Sequence, residues 1–173
     1  MIIELESMAI ALPRVENHPN RGEFHGVLTW VDVASDRPPA GARGHRVLLT
    51  RQAVEQALPS LLGMALDYSP ALDRHDTQRK VGVITAADIV GKTLEIGGFL
   101  YAKDFPAVVS AIRGSATRQA PALGMSYEIS DAKIADMKSS IWTLTSVTFT
   151  GAAILRRDKA AYRNTWIEMA DKQ

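Results

Sequence analysis

The chain has 173 residues, of which 20 are Lys or Arg and 19 are Asp or Glu, giving a formal net charge of +1. This balance argues against the strongly basic surface with which proteins bind nucleic acid, and the absence of cysteine excludes disulfides and cysteine-ligated metal sites. No apolar run reaches the length of a membrane-spanning helix. We therefore expect a soluble intracellular protein with one sizeable core and with neither a nucleic-acid nor a membrane partner.

The N-terminal part of the sequence is rich in residues that form turns. Residues 13–23 contain proline, asparagine and glycine, which predicts a loop or a mobile arm. We therefore expect an N-terminal arm over residues 1–23 and a single domain over residues 24–173. In that domain, residues 24–33 alternate in polarity and include β-branched and aromatic side chains, which predicts the first strand.

A helix and a β-hairpin are predicted next along the chain. Thr50 is a suitable N-cap for a helix that follows it, and Pro59 should kink this helix or end it early. Residues 80–90 and 93–102 are two β-type runs separated by Gly91 and a lysine. This spacing is typical of a hairpin.

The C-terminal half is predicted to add two helices and two long strands. Asp104 should cap a short helix that Gly114 ends. Residues 123–134 and 140–154 read as strands. Asp158 is positioned to cap a last helix.

About six short strands with two or three helices between them predict an α+β protein. The strands are not separated by the long helices that a parallel α/β sheet requires. We therefore expect a closed or partly closed β-barrel with surrounding helices.

A serine among small and apolar residues, Ser126, is the first candidate functional residue. A serine hydroxyl is a weak nucleophile at neutral pH and needs a base within hydrogen-bond reach. Histidine suits this task, because it can both take the proton and return it. The chain contains four histidines: His18, His25, His45 and His75. From residue types alone, a structural strand serine and a solvated surface histidine remain the plainer interpretations.

Three segments together resemble the prohead (capsid maturation) serine proteases of tailed phages, which are related in fold to the herpesvirus assemblins. They are the Gly-x-Ser-x context of Ser126, the His-Asp context of His75 and the β-type segment 145–152. The resemblance covers residues 25 to 157, roughly. It implies that Ser126 is the nucleophile, that His75 is the base, and that a β-barrel core is surrounded by helices.

The third catalytic position departs from the pattern of that family. Matching the last segment to the family's strand puts Thr143 where phage members carry an acidic residue and assemblins carry a second histidine. A threonine can accept a hydrogen bond from an imidazole but brings no charge to stabilise an imidazolium. Three alternatives stay open: a nearby carboxylate substitutes, the site works as a Ser–His dyad, or the chain is a non-catalytic relative. The candidate carboxylates are Glu128, Asp131 and Asp136.

The resemblance also implies a biological role. The implied role is that of an endopeptidase that processes scaffold and major capsid protein. It would act in the host cytoplasm, within the assembling prohead, and it could form a homo-oligomer. Arg156 and Arg157 lie in a place loosely comparable to that of the arginine pair that assemblins carry near the oxyanion, and a solvated turn is the alternative interpretation. No cofactor is expected, and the histidines are too dispersed to form a zinc site by spacing. The alternatives are a catalytically degenerate capsid-assembly or scaffolding protein and an unrelated small β-barrel binding module.

Overall fold

The computed structural model describes residues 3–4, 15–119 and 121–170. Most of the expected N-terminal arm therefore lies outside the described residues. None of the helices in these ranges is long and apolar enough to cross a membrane. The elements are the strands β1 (Ile3–Glu4), β2 (Gly22–Trp30), β3 (Arg46–Leu49), β4 (Ala65–Tyr68), β5 (Lys80–Val90), β6 (Thr93–Leu100), β7 (Leu123–Ile134), β8 (Ile141–Arg156) and β9 (Trp166–Met169), and the helices α1 (Arg51–Leu61) and α2 (Pro106–Ala116).

The strands form one mixed sheet in the order β3-β8-β4-β5-β6-β2-β9, with β1 paired to β5 and β7 paired to β8. The 16-residue strand β8 pairs with three other strands. It runs parallel to β3 and β4 and antiparallel to β7. The sheet curls into a half-barrel, which confirms the expected α+β, partly closed barrel. The strands that the sequence did not predict are β1, β4 and β9, which are short.

The core lies between the curled sheet and helix α1. Thr50 Oγ1 accepts the Ala53 N–H at 3.2 Å, which confirms the predicted N-cap. The helix does not stop at Pro59 but continues to Leu61. Because Pro59 sits in the last turn, it removes one backbone hydrogen bond without interrupting the turns that pack on the sheet. The apolar face of helix α1 is buried and consists of Ala53, Val54, Ala57, Leu58 and Leu61.

The predicted hairpin is confirmed as β5 and β6. Their register places Val90 opposite Thr93, so two residues form the turn. Gly91 has a φ of +60°, a left-handed conformation that glycine adopts at little cost.

Helix α2 is present, but both predicted ends are wrong. Its N-cap is Phe105, whose side chain makes no capping hydrogen bond, and Pro106 occupies the first turn. The Asp104 carboxylate instead accepts the Asn20 side-chain N–H at 2.8 Å. Gly114 lies inside the helix, which ends at Ala116. The ring of Pro106 fixes φ near the helical value and lacks an N–H that would need a partner, so the helix begins there without a side-chain cap.

The predicted C-terminal helix after Asp158 is also wrong. Asp158 forms an ion pair with Arg156 at 3.0 Å, and turns lead into β9, which pairs with β2. The Tyr162 hydroxyl lies 2.9 Å from the Val33 carbonyl oxygen. Tertiary contacts of this kind outweigh a local preference for a helix, since intrinsic helix propensity is weak.

Candidate active site

Strand β7 carries two polar side chains on one face. Ser126 and Glu128 are two residues apart, so they point to the same side of the strand. The start of the strand packs tightly, because a Cβ on Gly124 would lie 2.3 Å from Thr165 Oγ1. Thr165 Oγ1 in turn accepts the Met125 N–H at 3.1 Å. The glycine therefore lets this part of β7 approach the buried Thr165 closely.

The loop between β4 and β5 carries His75. Asp67, at the end of β4, accepts the Asp76 N–H through Oδ1 at 2.8 Å. The Ser69 hydroxyl donates to Asp73 Oδ1 at 2.9 Å and accepts the Asp73 N–H at 3.1 Å. These bonds on both sides of His75 hold its backbone against the sheet.

The His75 ring contacts Glu128. His75 Nδ1 lies 2.7 Å from Glu128 Oε1, and the two side chains are 30% and 18% exposed. A carboxylate only accepts hydrogen bonds, so Nδ1 carries the proton and Nε2 is left with a lone pair for a hydroxyl. Of the three carboxylates considered from the sequence, Glu128 is the one beside His75. Asp131 and Asp136 are exposed.

Ser126 and His75 line the same cavity, whose volume is about 740 Å³. Glu128 lines it as well. In the described part of the chain, the Ser126 hydroxyl and the His75 ring are not hydrogen-bonded to one another. Catalytic hydrogen bonds of this kind are often long in the absence of substrate and tighten when it binds.

Thr143 is not brought to this cavity. It lies on β8 opposite Leu48 of β3, and its carbonyl accepts the Ala135 N–H at 2.9 Å. Its neighbours Trp142 and Leu144 line the cavity. Since side chains alternate along a strand, Thr143 faces the other side of the sheet.

Glu128 occupies space that a side chain from β8 would otherwise fill. The residue opposite Glu128 on β8 is Gly151, and a Cβ there would lie 3.0 Å from Glu128 Oε2. The register between the two strands shifts directly after this pair. An acidic residue two positions after the serine, facing a glycine on the next strand, is therefore the sequence signal for Glu128.

A second carboxyl, that of Asp67, lies behind the histidine. Its side chain is 0% exposed, and Oδ2 is 3.9 Å from His75 Nδ1. Burial, followed by the neighbouring Glu128 carboxyl, raises the pKa of Asp67 to about 7. Burial opposes ionisation of Glu128 too, but the neighbouring Asp67 carboxyl and the hydrogen bond with His75 outweigh this and hold the pKa of Glu128 below the usual range.

Sequence reasoning missed Asp67. Its one signal is an acidic residue within the apolar β4 segment, where a charged side chain needs a partner. That partner comes from β7, far along the chain, and only the fold reveals it.

Asp67, His75 and Glu128 are also the described residues whose potential metal-ligand atoms lie within 4.8 Å of one another. A tetrahedral zinc ion with bonds of about 2.0–2.1 Å holds its ligand atoms about 3.3 Å apart. The separation of 2.7 Å between His75 Nδ1 and Glu128 Oε1 fits a charge-assisted hydrogen bond instead. His75 and Glu128 are therefore arranged here as a hydrogen-bonded acid–base pair.

The arginine pair lies at the edge of the site. Arg157 Nε donates to the Leu123 carbonyl oxygen at 3.1 Å, and Arg156 pairs with Asp158. Neither arginine lines the cavity, whereas Lys159 does. Much of the remaining wall is apolar, formed by Val47, Ile129, Ile134, Trp142, Leu144 and Leu155.

The other three histidines make structural contacts. His18 Nδ1 accepts the Asn20 N–H at 3.1 Å. His25 packs edge-on against Trp166 with ring centroids 5.3 Å apart. The ring of His45 stacks on a tryptophan with centroids 4.4 Å apart. His75 is therefore the histidine that lines the cavity with Ser126.

The fold has a counterpart among solved protein structures. No protein-family model matches the chain, and no curated protein sequence matches it. The fold is similar to that of the KSHV protease, solved in complex with a hexapeptide phosphonate inhibitor, with a TM-score of 0.52 and 15% sequence identity. The match covers 87% of this chain and 66% of that one, so the chain spans just under two thirds of the length of that protease. The assemblin-like fold expected from the sequence is thereby confirmed.

Proposed function

We propose that the chain is a serine endopeptidase with Ser126 as nucleophile, His75 as general base and Glu128 as the third member. One observation carries this proposal: the 2.7 Å hydrogen bond between His75 and Glu128, in a cavity that Ser126 also lines. Nucleophile, base and orienting acid are the three parts that such a mechanism requires.

In the proposed reaction, the Ser126 hydroxyl attacks the scissile carbonyl carbon while His75 Nε2 accepts its proton. Glu128 holds the ring through Nδ1 and stabilises the imidazolium that forms. His75 then gives the proton to the leaving amine as the C–N bond breaks, which leaves an acyl ester on Ser126. A water molecule, activated by the same imidazole, hydrolyses this ester and restores the serine.

The proposed substrates are scaffold and major capsid protein of a tailed phage, cleaved inside the assembling prohead in the host cytoplasm. Two independent features support this. The sequence segments around His75 and Ser126 resemble those of prohead proteases, and the fold is similar to that of the KSHV protease.

Digestion of a peptide library tests the proposed activity. We expect the purified protein to cleave a subset of peptides, identified by mass spectrometry, and Ser126→Ala to cleave none of them. Thr143→Ala is the matched control, because the Thr143 side chain faces away from the cavity, and it should cleave the same subset. Equal cleavage by the wild type and Ser126→Ala would assign the activity to a contaminant.

Co-expression with the major capsid protein and scaffold tests the proposed substrates. Intact masses should show trimmed products with the wild type and full-length precursors with Ser126→Ala. Peptide cleavage without capsid-protein cleavage would retain the peptidase and reject the role in the prohead.

A second candidate function is that of a capsid-assembly protein that has kept the fold without the chemistry. The observation that favours it is the absence of a hydrogen bond between Ser126 and His75 in the described part of the chain. This candidate predicts that the wild type leaves every peptide intact and co-assembles with the capsid protein.

A further inference from the structure

We propose that Asp67 is a positioning residue of this site: a neutral, buried carboxyl that donates a hydrogen bond to Glu128 and so fixes the Glu128–His75 pair. This inference rests on the proposed peptidase function for its catalytic consequence. Its structural part concerns the contacts of Asp67 itself.

Asp67 is anchored from both sides of its strand. In the sheet it pairs with Lys80 of β5 and with Ala153 of β8. Its Oδ1 accepts the Asp76 N–H at 2.8 Å, directly after His75 in the chain. The side chain is 0% exposed, so it has no water to replace these partners. One carboxyl oxygen is therefore committed to the backbone of the histidine loop.

The other oxygen, Oδ2, needs a proton, because carboxyl oxygens of Asp67 and Glu128 lie within 4.8 Å of one another. If Asp67 were ionised, Oδ2 would be buried with no hydrogen-bond donor among the described residues. It would also place a second negative charge beside the Glu128 carboxylate in a region of low dielectric. One proton on Asp67, directed at Glu128, removes both penalties, as in other carboxyl pairs that share a site.

The charged groups around Asp67 are consistent with this arrangement. Strand β7 contributes Glu128, the loop contributes His75, and β5 contributes Lys80, whose side chain is exposed. Strand β8 contributes no ionisable group at its pairing position, since Ala153 stands there. Glu128, which accepts from His75, thus also accepts from Asp67 and is held in place on two sides.

Three substitutions separate the effect of the hydrogen-bond donor from that of the side-chain volume. Asp67→Asn keeps an oxygen for the Asp76 N–H and supplies an N–H for Glu128, so it should reproduce the role of a protonated carboxyl. Asp67→Ala removes both, and Asp67→Leu, an apolar residue of similar size, is the second variant for the case that alanine lowers the folded yield.

The rate of covalent reaction of Ser126 with a peptide diphenyl phosphonate measures the catalytic consequence. We expect the rate of Asp67→Asn to stay within about fivefold of that of the wild type. Asp67→Ala and Asp67→Leu should react about 10–100 times more slowly than the wild type. In a Glu128→Ala background, Asp67→Ala should slow the reaction by less than about twofold, because its partner is already absent. Equal loss in the asparagine and alanine variants, or independent effects in the double variant, would overturn the proposal.

The ring N–H resonance of His75 provides a readout that does not depend on activity. A proton NMR signal of the hydrogen-bonded Nδ1–H should be present in the wild type and in Asp67→Asn, and absent in Asp67→Ala. If the wild type fails to react with the phosphonate while this pattern holds, the peptidase function falls and the positioning role stands. An unchanged signal in Asp67→Ala overturns the positioning role whatever the activity.

Discussion

At the scale of single residues, the main feature of the site is the position of a negative charge beside the His75 ring. In the proposed mechanism, the part-buried hydrogen bond between His75 and Glu128 contributes to catalysis because the negative charge is fixed before the imidazolium forms. Threonine at the third position would have offered an acceptor without charge, and the structure places Thr143 on the other side of β8. In the proposed mechanism, Glu128 supplies both the acceptor and the charge.

Replacing this charge should slow the reaction strongly. In Glu128→Gln the side chain keeps its size, but its amide can present an N–H to His75 and so stabilise the wrong tautomer. We expect the rate of reaction of Ser126 with a peptide phosphonate to fall by about 10²–10⁴-fold, with the melting temperature nearly unchanged. Thr143→Val is the matched control and should stay within about twofold of the wild type. A larger loss in Thr143→Val than in Glu128→Gln would return the third position to Thr143.

The raised pKa of Asp67 makes a prediction about stability. In the unfolded chain this carboxyl ionises near its ordinary pKa of 3.8, whereas in the fold it keeps its proton up to about pH 7. Between these values the unfolded state has released a proton that the folded state still holds, so raising the pH favours unfolding. The stability associated with the protonated carboxyl is thus present at low pH and is lost as the pH rises through about 7.

Asp67→Asn should remove this dependence, because it carries no titrating proton. Between about pH 5 and about pH 8, we expect the free energy of unfolding of the wild type to fall by about 1–3 kcal/mol more than that of Asp67→Asn. Urea denaturation at both pH values measures the difference. Parallel pH profiles for the two proteins would show that Asp67 ionises normally in the fold.

At the scale of elements, the β7–β8 pair builds the site. Alternation along β7 puts Ser126 and Glu128 on one face, and a glycine on β8 leaves room for the Glu128 carboxylate. The shift of register directly after that pair adds local twist, which is a common means of redirecting a side chain.

Filling this space should disturb the site while the fold survives. In Gly151→Ala the new Cβ would lie 3.0 Å from Glu128 Oε2 and 3.2 Å from the Ala65 carbonyl oxygen, so Glu128 must move. We expect the rate of reaction of Ser126 with the phosphonate to fall by about 10-fold or more, as misplacement of a catalytic group by about 1 Å can do. Gly97→Ala is the control: its Cβ would meet one atom, the Phe24 carbonyl oxygen at 3.4 Å, and its rate should match the wild type. Equal rates in both variants would mean that Glu128 is not confined by β8.

The sequence predicted an element correctly where residues close together in the chain determine its structure. The Thr50 cap and the hairpin turn at Gly91 need only neighbouring residues, and both were predicted from the sequence. The helix expected after Asp158 failed because Tyr162 and β9 are held by distant parts of the sheet. The predicted N-cap at Asp104 was wrong for the same reason, since the Asp104 carboxylate accepts a hydrogen bond from the distant Asn20 side chain.

At the scale of the whole molecule, the site is assembled from segments far apart in the chain. The resemblance to prohead proteases pointed to His75 and Ser126, and the fold places both on one cavity. Glu128 was one of three open candidates, because the sequence alone cannot say which carboxylate a distant loop will meet. Asp67 had no sequence signal beyond its apolar strand, and its partner Glu128 comes from β7.

The central claim is that folding makes the Ser126 hydroxyl a nucleophile activated by His75. Its most direct test is the reaction of the purified protein with a peptide diphenyl phosphonate, with the adduct located by mass spectrometry of its fragments. We predict one adduct, on Ser126, with none in Ser126→Ala and a reaction slowed by about 10³-fold or more in His75→Gln. A protein that forms no adduct, or that carries the adduct equally in Ser126→Ala, would contradict the account.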